Sequence, residues 1–285
     1  MKILWNDKIV DESEVRIDTE DRGYQFGDGI YEVIRIYDGL LYMEEEHLER
    51  FWRCANKIRL SLPFTKEEFS QRLHEFAEEV GIKNGRLYFQ LTHGTAKPRL
   101  HDFPDAKEVV PVLTADIQPT NRPTEKLEKG IRGGFVPDKR WLHCDIKSIS
   151  LLGNILALNE AKEKGYDDAV LVRDGIVTEA SSSNLWMVKN GILYTHPDGE
   201  LILPGITKIK VRQLAGKLGI QLIEEPFTKE QLIEADECFK TSSVAEVMPI
   251  ISIDGKNVGN GNPGIITKQL QKAYIDAIEE SVKKM

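Results

Sequence analysis

The sequence predicts a mixed α+β fold divided into two domains. Short strand-like segments joined by Asp-Gly and Asn-Gly turns recur along the chain, and these dipeptides are strong hairpin signals. Amphipathic helical segments are interspersed among the strands without regular alternation, which favours α+β over a doubly wound sheet. Periodicity is lost at 118–124, where two prolines lie. We therefore expect an interdomain linker there, between a small N-terminal domain at 1–117 and a larger C-terminal domain at 125–285.

The N-terminal domain is predicted to combine a sheet with two helices. A helix begins at Glu44, because its apolar residues fall on one face and leave Arg50 off that face. A second helix covers 65–80, between a capping box and a terminal glycine. In the segment 21–33, three glycines within seven residues predict close packing of the backbone. Strands are expected, in chain order, at 3–10 as a hairpin, 31–37, 40–43, 86–91 and 109–116.

The C-terminal domain is predicted to hold more strands, again with helices between them. Helices are expected from Leu151 to Gly165, from the Pro-Gly turn at 204–205 to Gly219, after the capping box at 228–231, and over 265–284. Strands are expected at 131–136, 169–172, 176–179, 185–188, 192–195, 221–224 and 237–241.

Composition excludes several classes of function. The chain has 285 residues, of which 41% are hydrophobic, so it can bury a core large enough for an enzyme. Its net charge is −8 and its basic residues are scattered, so nucleic acid is not an expected partner. No segment resembles a signal peptide or a membrane span, which predicts a soluble, cytoplasmic protein. Three widely spaced cysteines are expected to remain reduced thiols.

The familiar nucleotide-binding and hydrolase motifs are absent. No G-x-G-x-x-G follows a strand, and there is no Walker loop, H-E-x-x-H or G-x-S-x-G. The six histidines lack metal-ligand spacing, so no metal site is predicted. Only His101 and His93 stand out, because they share a polar, glycine-containing loop with Arg99.

Lys147 is the candidate catalytic residue. A lysine amine that loses its proton near neutral pH can form a Schiff base with an aldehyde cofactor. Lys147 follows an alternating segment and precedes the apolar run 150–157, so we expect it at a strand end that faces an interior. Taken alone, the position favours an ordinary surface lysine, so the rest of the sequence has to support a catalytic role.

Three further features are suited to a phosphorylated aldehyde cofactor. The turn 203–207 precedes a helix, and free N–H groups at a helix start favour an anion, with the Thr207 hydroxyl as an added donor. Glu179 ends a hairpin strand and could pair with a pyridine nitrogen. Arg50 and the hydroxyl run 241–243 offer more phosphate ligands. Each feature alone is also compatible with a plain turn or a solvated side chain.

Together these residues resemble a family, the fold-type IV pyridoxal-phosphate enzymes, and within it the D-amino-acid transaminases. The resemblance covers nearly the whole chain. It implies a small N-terminal α/β sandwich domain, a larger C-terminal domain with a barrel-like sheet, and pyridoxal 5'-phosphate as cofactor. The segments that carry it are Asp21-Arg-Gly-Tyr-Gln-Phe-Gly-Asp-Gly, Arg140-Trp-Leu with Cys144-Asp-Ile-Lys-Ser, Thr178-Glu-Ala-Ser-Ser-Ser-Asn and Gly191-Ile-Leu-Tyr-Thr-His-Pro.

The resemblance also implies a role for each candidate residue. Lys147 would be the Schiff-base lysine and proton shuttle, and Glu179 would pair with the ring nitrogen. The phosphate would be held by Arg50, Ile206, Thr207 and Ser243, and the rest of the cofactor would be flanked by Arg140, Ser181 and Ser182. The substrate carboxylate would be gripped by Tyr31, Arg99 and His101, the last two reaching in from the other subunit of a homodimer.

The implied reaction is ping-pong transamination between D-amino acids and 2-oxo acids, of the type that converts D-alanine and 2-oxoglutarate to pyruvate and D-glutamate. Arg99 with His101 favours this over a branched-chain L-amino-acid transaminase or an aminodeoxychorismate lyase of the same fold. A non-catalytic binding protein that keeps the fold is a more remote alternative. The sequence departs from the family pattern at His93, at His143 and in 97–100, which is one residue longer.

Overall fold

The computed structural model describes the whole chain, Met1–Met285, as two compact units. The first unit contains Met1–Asn121, Ile146–Ser150 and Met285, and the second contains Arg122–Asp145 and Leu151–Lys284. The segment that carries Lys147 therefore packs with the first unit, although it follows the chain crossing at Asn121. No helix has the length and apolar character that crossing a membrane requires.

One antiparallel sheet forms the first unit, with strand order β2-β1-β6-β5-β3-β4. As predicted, the chain opens with a hairpin, and a two-residue turn joins β3 to β4. The last strand begins three residues later than expected, so the preceding loop extends through Pro111. The elements are β1 Lys2–Trp5, β2 Lys8–Asp11, α1 Arg22–Phe26, β3 Gly29–Tyr37, β4 Leu40–Leu41, α2 Glu44–Lys57, α3 Lys66–Val80, β5 Gly85–Thr92 and β6 Val112–Pro119.

The core of the first unit lies between this sheet and helices α2 and α3. Phe51 of α2 is fully buried, and its ring centroid lies 5.8 Å from that of Phe69 on α3 and 5.1 Å from that of Phe89 on β5. Burying an aromatic side chain of this kind contributes about 1.5–3 kcal/mol. These contacts fix α2 against the sheet and so fix the polar residues that α2 directs toward β3.

A nine-stranded mixed sheet forms the second unit, with order β12-β11-β10-β13-β14-β7-β8-β9 and β15 paired to β14. Helix α4, at the end of the predicted linker, and strands β14 and β15 were not predicted. The elements are α4 Thr124–Lys129, β7 Ile131–Pro137, α5 Leu152–Glu163, β8 Asp168–Arg173, β9 Ile176–Ala180, β10 Asn184–Lys189, β11 Ile192–Thr195, α6 Ile206–Lys217, β12 Leu222–Glu224, α7 Lys229–Ile233, β13 Glu237–Ser242, β14 Glu246–Ile253, β15 Lys256–Asn257 and α8 Ile265–Val282.

Both Asp-Gly and Asn-Gly turns of this unit form as predicted. Asp174 and Gly175 between β8 and β9, and Asn190 and Gly191 between β10 and β11, all have positive φ. This is the backbone geometry that two-residue hairpins require. The β8–β9 turn brings Glu179, near the end of β9, into the interior of the unit.

Candidate active site

The sequence suggested that Lys147 lies at a strand end. In the structure, the segment around Lys147 is instead a coil that packs against β3. The backbone N–H of Tyr31 donates to the carbonyl of Lys147 at 3.0 Å, and the N–H of Ile149 donates to the carbonyl of Gly29 at 3.1 Å. Only one isolated bridge, between Ile30 and Ser148, results. The alternating pattern predicted a strand that ends near Lys147, whereas these few bonds anchor the backbone without forming a strand.

The amine of Lys147 lies over an aromatic ring. Its Nζ atom is 4.2 Å from the ring centroid of Tyr31, and that ring stacks on Tyr88 at 5.6 Å between centroids. Burial raises the pKa of Tyr88 to about 12, so this phenol stays neutral at physiological pH. The structure thus brings together two predicted site residues, Lys147 and Tyr31, through a cation–π contact.

Arg50 points from α2 to a buried carboxylate on β3. Its Nε and Nη2 atoms donate to the two oxygens of Glu32, at 2.7 and 2.8 Å, and Nδ1 of His47 lies 2.7 Å from the same carboxylate. Burial opposes ionisation, yet the charges of Arg50 and His47 hold the pKa of Glu32 far below its usual value. This fork-to-fork pairing fixes the guanidinium plane of Arg50.

Arg99 and His101 lie side by side on the exposed loop between β5 and β6. The guanidinium carbon of Arg99 is 4.2 Å from the ring centroid of Phe26, and the His101 ring meets the same ring edge-on at 5.6 Å. The structure therefore brings these two predicted residues together around Phe26. Their side chains remain open to solvent.

The glycines of the 21–29 segment serve close packing, as predicted. A Cβ on Gly23 would lie 2.2 Å from Cγ2 of Thr92, and a Cβ on Gly29 would lie 2.6 Å from the carbonyl oxygen of Leu91. Both distances are far below van der Waals contact, so any side chain there would push the segment off β5.

In the second unit, Glu179 is buried among hydrogen-bond donors. Nη1 of Arg140 forms an ion pair with Oε1, while Oε2 accepts from Nδ2 of Asn184 at 3.1 Å and from the backbone N–H of Leu203 at 3.3 Å. Burial raises the pKa of Glu179, and the Arg140 charge opposes that rise. Because three donors fix its orientation, the Glu179 carboxylate can pair with a further cation without a change of its side-chain conformation.

Asp138 organises the groups behind Glu179. Its two oxygens accept from Nε and Nη2 of Arg140, each at 2.9 Å, and from the hydroxyl of Thr178 at 2.8 Å. Arg173 approaches the same carboxylate at 3.2 Å. Despite burial, Arg140 and Thr178 lower the pKa of Asp138 to about 2. The side chain of Arg140 is thus fixed between two carboxylates.

The predicted phosphate cup is the start of α6. Gly205 caps this twelve-residue helix without a side-chain acceptor, so the first N–H groups of the helix remain available to an anion. A Cβ on Gly205 would lie 2.1 Å from Oδ1 of Asn184, so only glycine fits there. Ile206 and Thr207 follow, and both side chains are buried.

The predicted serines occupy different environments. Ser181 is buried, and its hydroxyl donates to Oδ1 of Asp168 at 2.5 Å, while Lys240 pairs with the other oxygen of that carboxylate. Ser182 is exposed. Ser243 lies half-buried in the turn after β13.

Sequence reasoning did not single out Asp138, Asp168 or Asn184, although each fixes a predicted site residue. Asn184 connects Glu179 to the turn before α6, because its Nδ2 atom also donates to the carbonyl of Leu203 at 2.7 Å. Asp138 could have been found from the sequence, because it lies only two residues before Arg140. No sequence signal indicated Asp168, because it contacts Ser181 only through the pairing of β8 with β9.

Residues 29–253 match the model of the amino-transferase class IV family. The chain belongs to this family, so it is an aminotransferase by descent, as predicted.

Individual relatives agree with this assignment. The chain is 43% identical to D-alanine aminotransferase of Bacillus licheniformis, covering 98% of this chain and 97% of the relative. It is 45% identical to D-alanine aminotransferase of Staphylococcus haemolyticus, covering 98% of both chains.

Among solved structures, branched-chain amino acid aminotransferases have the same fold. The Escherichia coli enzyme superposes with a TM-score of 0.92 at 25% identity, covering 96% of this chain and 93% of the other. The enzyme from Thermoproteus uzoniensis, solved with norvaline, gives a TM-score of 0.86 at 31% identity, covering 96% and 93%. These matches confirm the predicted fold type.

Proposed function

We propose that the protein transfers amino groups between D-amino acids and 2-oxo acids, with D-alanine and 2-oxoglutarate as the representative pair. The observation that carries this proposal is the similarity, over 98% of the chain, to enzymes named D-alanine aminotransferase. The paired Arg99 and His101 on one exposed loop support it, because guanidinium and imidazole groups are suited to a carboxylate.

The residues present fit pyridoxal 5'-phosphate as the cofactor. The start of α6 offers N–H donors beside a glycine that leaves no room for a side chain, which suits a phosphate group. When bound, this cofactor supplies a carbonyl carbon that an amine can join and a ring that accepts electrons from the substrate. The residues proposed to hold it are Lys147, Glu179, Arg140, Ser181 and Ser182, with Arg50, Ile206, Thr207 and Ser243 at the phosphate.

Lys147 is proposed to move the proton at the substrate Cα. Its backbone is fixed by the bonds to β3 and by its own N–H, which donates to Sγ of Cys54 at 3.3 Å. The flexible four-carbon stem leaves Nζ free to swing from the face of Tyr31 to a proton on Cα. A positioned base of this kind contributes about 10²–10⁴-fold to a rate.

Glu179 is proposed to hold a proton on the ring nitrogen by pairing with it as an anion. Arg140, Asn184 and the backbone of Leu203 all donate to its oxygens, and donors aimed at a carboxylate favour its ionised form. They oppose the rise in the pKa of Glu179 that burial causes, and they fix the orientation of the carboxylate before substrate binds.

Arg99, His101 and Tyr31 are proposed to hold the substrate carboxylate, with the first two serving the neighbouring subunit of a homodimer. Helix α5 supports association between copies of the chain. Leu152, Ile155 and Leu156 are 68%, 52% and 62% exposed on one helical face, and isolated monomers rarely leave such a face uncovered.

A half-reaction with single enantiomers tests the proposed function. The cofactor-loaded enzyme is mixed with D-alanine or with L-leucine, and loss of the long-wavelength cofactor absorbance is followed in the absence of a 2-oxo acid. We expect D-alanine to bleach this band and L-leucine to leave it nearly unchanged. Faster bleaching by L-leucine would favour branched-chain L-specificity, the activity named for the structural relatives. No bleaching by either would favour a non-catalytic role.

A further inference from the structure

One carboxylate, Asp28, is connected to both the start and the middle of the loop that carries Arg99 and His101. Its Oδ2 atom accepts from Nε of Arg22 at 2.7 Å, and its Oδ1 atom lies 2.6 Å from Nδ1 of His93. All three side chains are buried or nearly so, with 12% of Asp28 and 6% each of Arg22 and His93 exposed. Charge-assisted bonds in such a setting are short, strong and directional.

Arg22 reaches from this carboxylate to the middle of the loop. Its Nη1 atom donates to the carbonyl of Leu100 at 2.8 Å, between Arg99 and His101 in sequence. Its guanidinium carbon also lies 5.0 Å from the ring centroid of Phe26, the ring on which both loop residues rest. Arg22 therefore fixes the backbone between the two residues and the surface beneath them.

His93, the first residue of the loop, supports the loop from its start. Its ring lies 5.2 Å from that of Phe103, and its backbone N–H donates to the carbonyl of Asp28 at 3.3 Å. Because Asp28 is an acceptor, Nδ1 of His93 carries a proton, which sets the ring orientation. His93 is one of the positions where the sequence departs from the family pattern, and its imidazole has a structural partner in Asp28.

We propose that Asp28 is a positioning residue for substrate carboxylate binding, acting through Arg22 and His93 on Arg99 and His101. This inference rests on the proposed function, since it assigns the loop to the substrate. A loop of this length without regular structure cannot hold two side chains at one spacing unless it is anchored. Asp28 anchors the start of the loop through His93 and its middle through Arg22.

The test compares Asp28→Asn with Asp18→Asn in the cofactor-loaded enzyme. Asp18 also contacts the loop, through Lys97 at 3.2 Å, but both side chains are exposed and such a pair contributes little. We expect Asp28→Asn to raise KM for D-alanine by about tenfold to a hundredfold, with kcat changed much less. Asp18→Asn is expected to leave both constants unchanged.

Hydrogen exchange of the 97–103 peptide provides a readout that does not depend on activity. We expect faster exchange there in Asp28→Asn and unchanged exchange at 138–143. Wild-type KM and wild-type exchange in Asp28→Asn would overturn the inference. If that variant does not fold, Arg22→Lys replaces it. A lysine keeps the charge but cannot bond to Asp28 and Leu100 with a fixed fork, so the same KM and exchange changes are expected, and their absence would overturn the inference.

Arg99→Ala separates this inference from the proposed function. A wild-type KM in Arg99→Ala contradicts the carboxylate grip itself, and the role of Asp28 in it is then overturned as well. A raised KM in Arg99→Ala together with a wild-type KM in Asp28→Asn contradicts only the role assigned to Asp28.

Discussion

Single buried carboxylates organise the charged side chains of each unit. Asp28 orients Arg22 and His93 in the first unit, and Asp138 orients Arg140 in the second. A buried carboxylate is costly unless every oxygen accepts hydrogen bonds, so each is surrounded by donors whose positions it then dictates. The residues proposed to touch substrate or cofactor are thus held in position by these carboxylates.

Asp138→Asn tests this organisation through the pH dependence of stability. The pKa of Asp138 falls from 3.8 to about 2 on folding, so its ionisation stabilises the fold above pH 3.8 and this contribution is lost as pH falls toward 2. The contribution is on the order of 2 kcal/mol. We expect urea unfolding to show a deficit in Asp138→Asn at pH 7 that shrinks below pH 4.

The matched control is Asp7→Asn, in the exposed turn between β1 and β2. Its free energy of unfolding should follow the wild type at every pH. A deficit in Asp138→Asn that stays constant from pH 7 to pH 3 would contradict the assigned ionisation.

Two helices present functional groups in different ways. Helix α2 presents a side chain, that of Arg50, which donates to Glu32 on β3. Helix α6 instead presents the backbone N–H groups of its first turn. The first depends on a buried ion pair and the second on a glycine that no larger residue can replace. Substitutions should therefore damage the two elements in different ways.

Glu32→Gln is expected to destabilise the first unit by about 3–5 kcal/mol, because it removes the charge with which buried Arg50 is paired. The matched control is Glu49→Gln, the same change on the exposed face of α2, with an expected effect below about 0.5 kcal/mol. Urea unfolding at pH 7 measures both. Equal effects in the two variants would show that the Glu32–Arg50 pair does not anchor α2.

At the scale of the whole molecule, the exposed apolar face of α5 is the feature that a lone chain does not explain. Replacing Leu156 with Glu puts a charge in the middle of this face, so we expect the proposed dimer to dissociate. Leu218→Glu is the control, because Leu218 is 45% exposed but lies alone after α6. Light scattering should give half the wild-type mass for Leu156→Glu only. A wild-type mass for Leu156→Glu would exclude this face from the interface.

Most of the fold was predictable because its signals are local. The hairpin turns, capping boxes and helix-ending glycines all operate over a few residues. Strand β14 was missed because Pro249 lies within it and proline normally ends a strand, yet here it pairs in register with Phe239. The five-residue α1 was not predicted because it depends on a tertiary contact. Gly23 lets the helix pack closely against Thr92, and no local sequence pattern indicates that contact.

The sequence indicated candidate site residues but not the contacts that support them. Motif order indicated Lys147 and Glu179, whereas the orientation of Arg50 depends on Glu32, eighteen residues away on β3. The partnership of Asp168 with Ser181 likewise arises from strand pairing. Such contacts are tertiary, so the spacing of residues along the chain carries no record of them.

The central claim is that Lys147 carries pyridoxal phosphate as a Schiff base, and reduction with borohydride followed by peptide mapping tests it most directly. The cofactor-loaded protein is reduced, digested and analysed by mass spectrometry, with Lys147→Ala treated in parallel. We predict one pyridoxyl label, on Lys147, and no label in the variant. A label on another lysine, or equal labelling of both proteins, would contradict the claim.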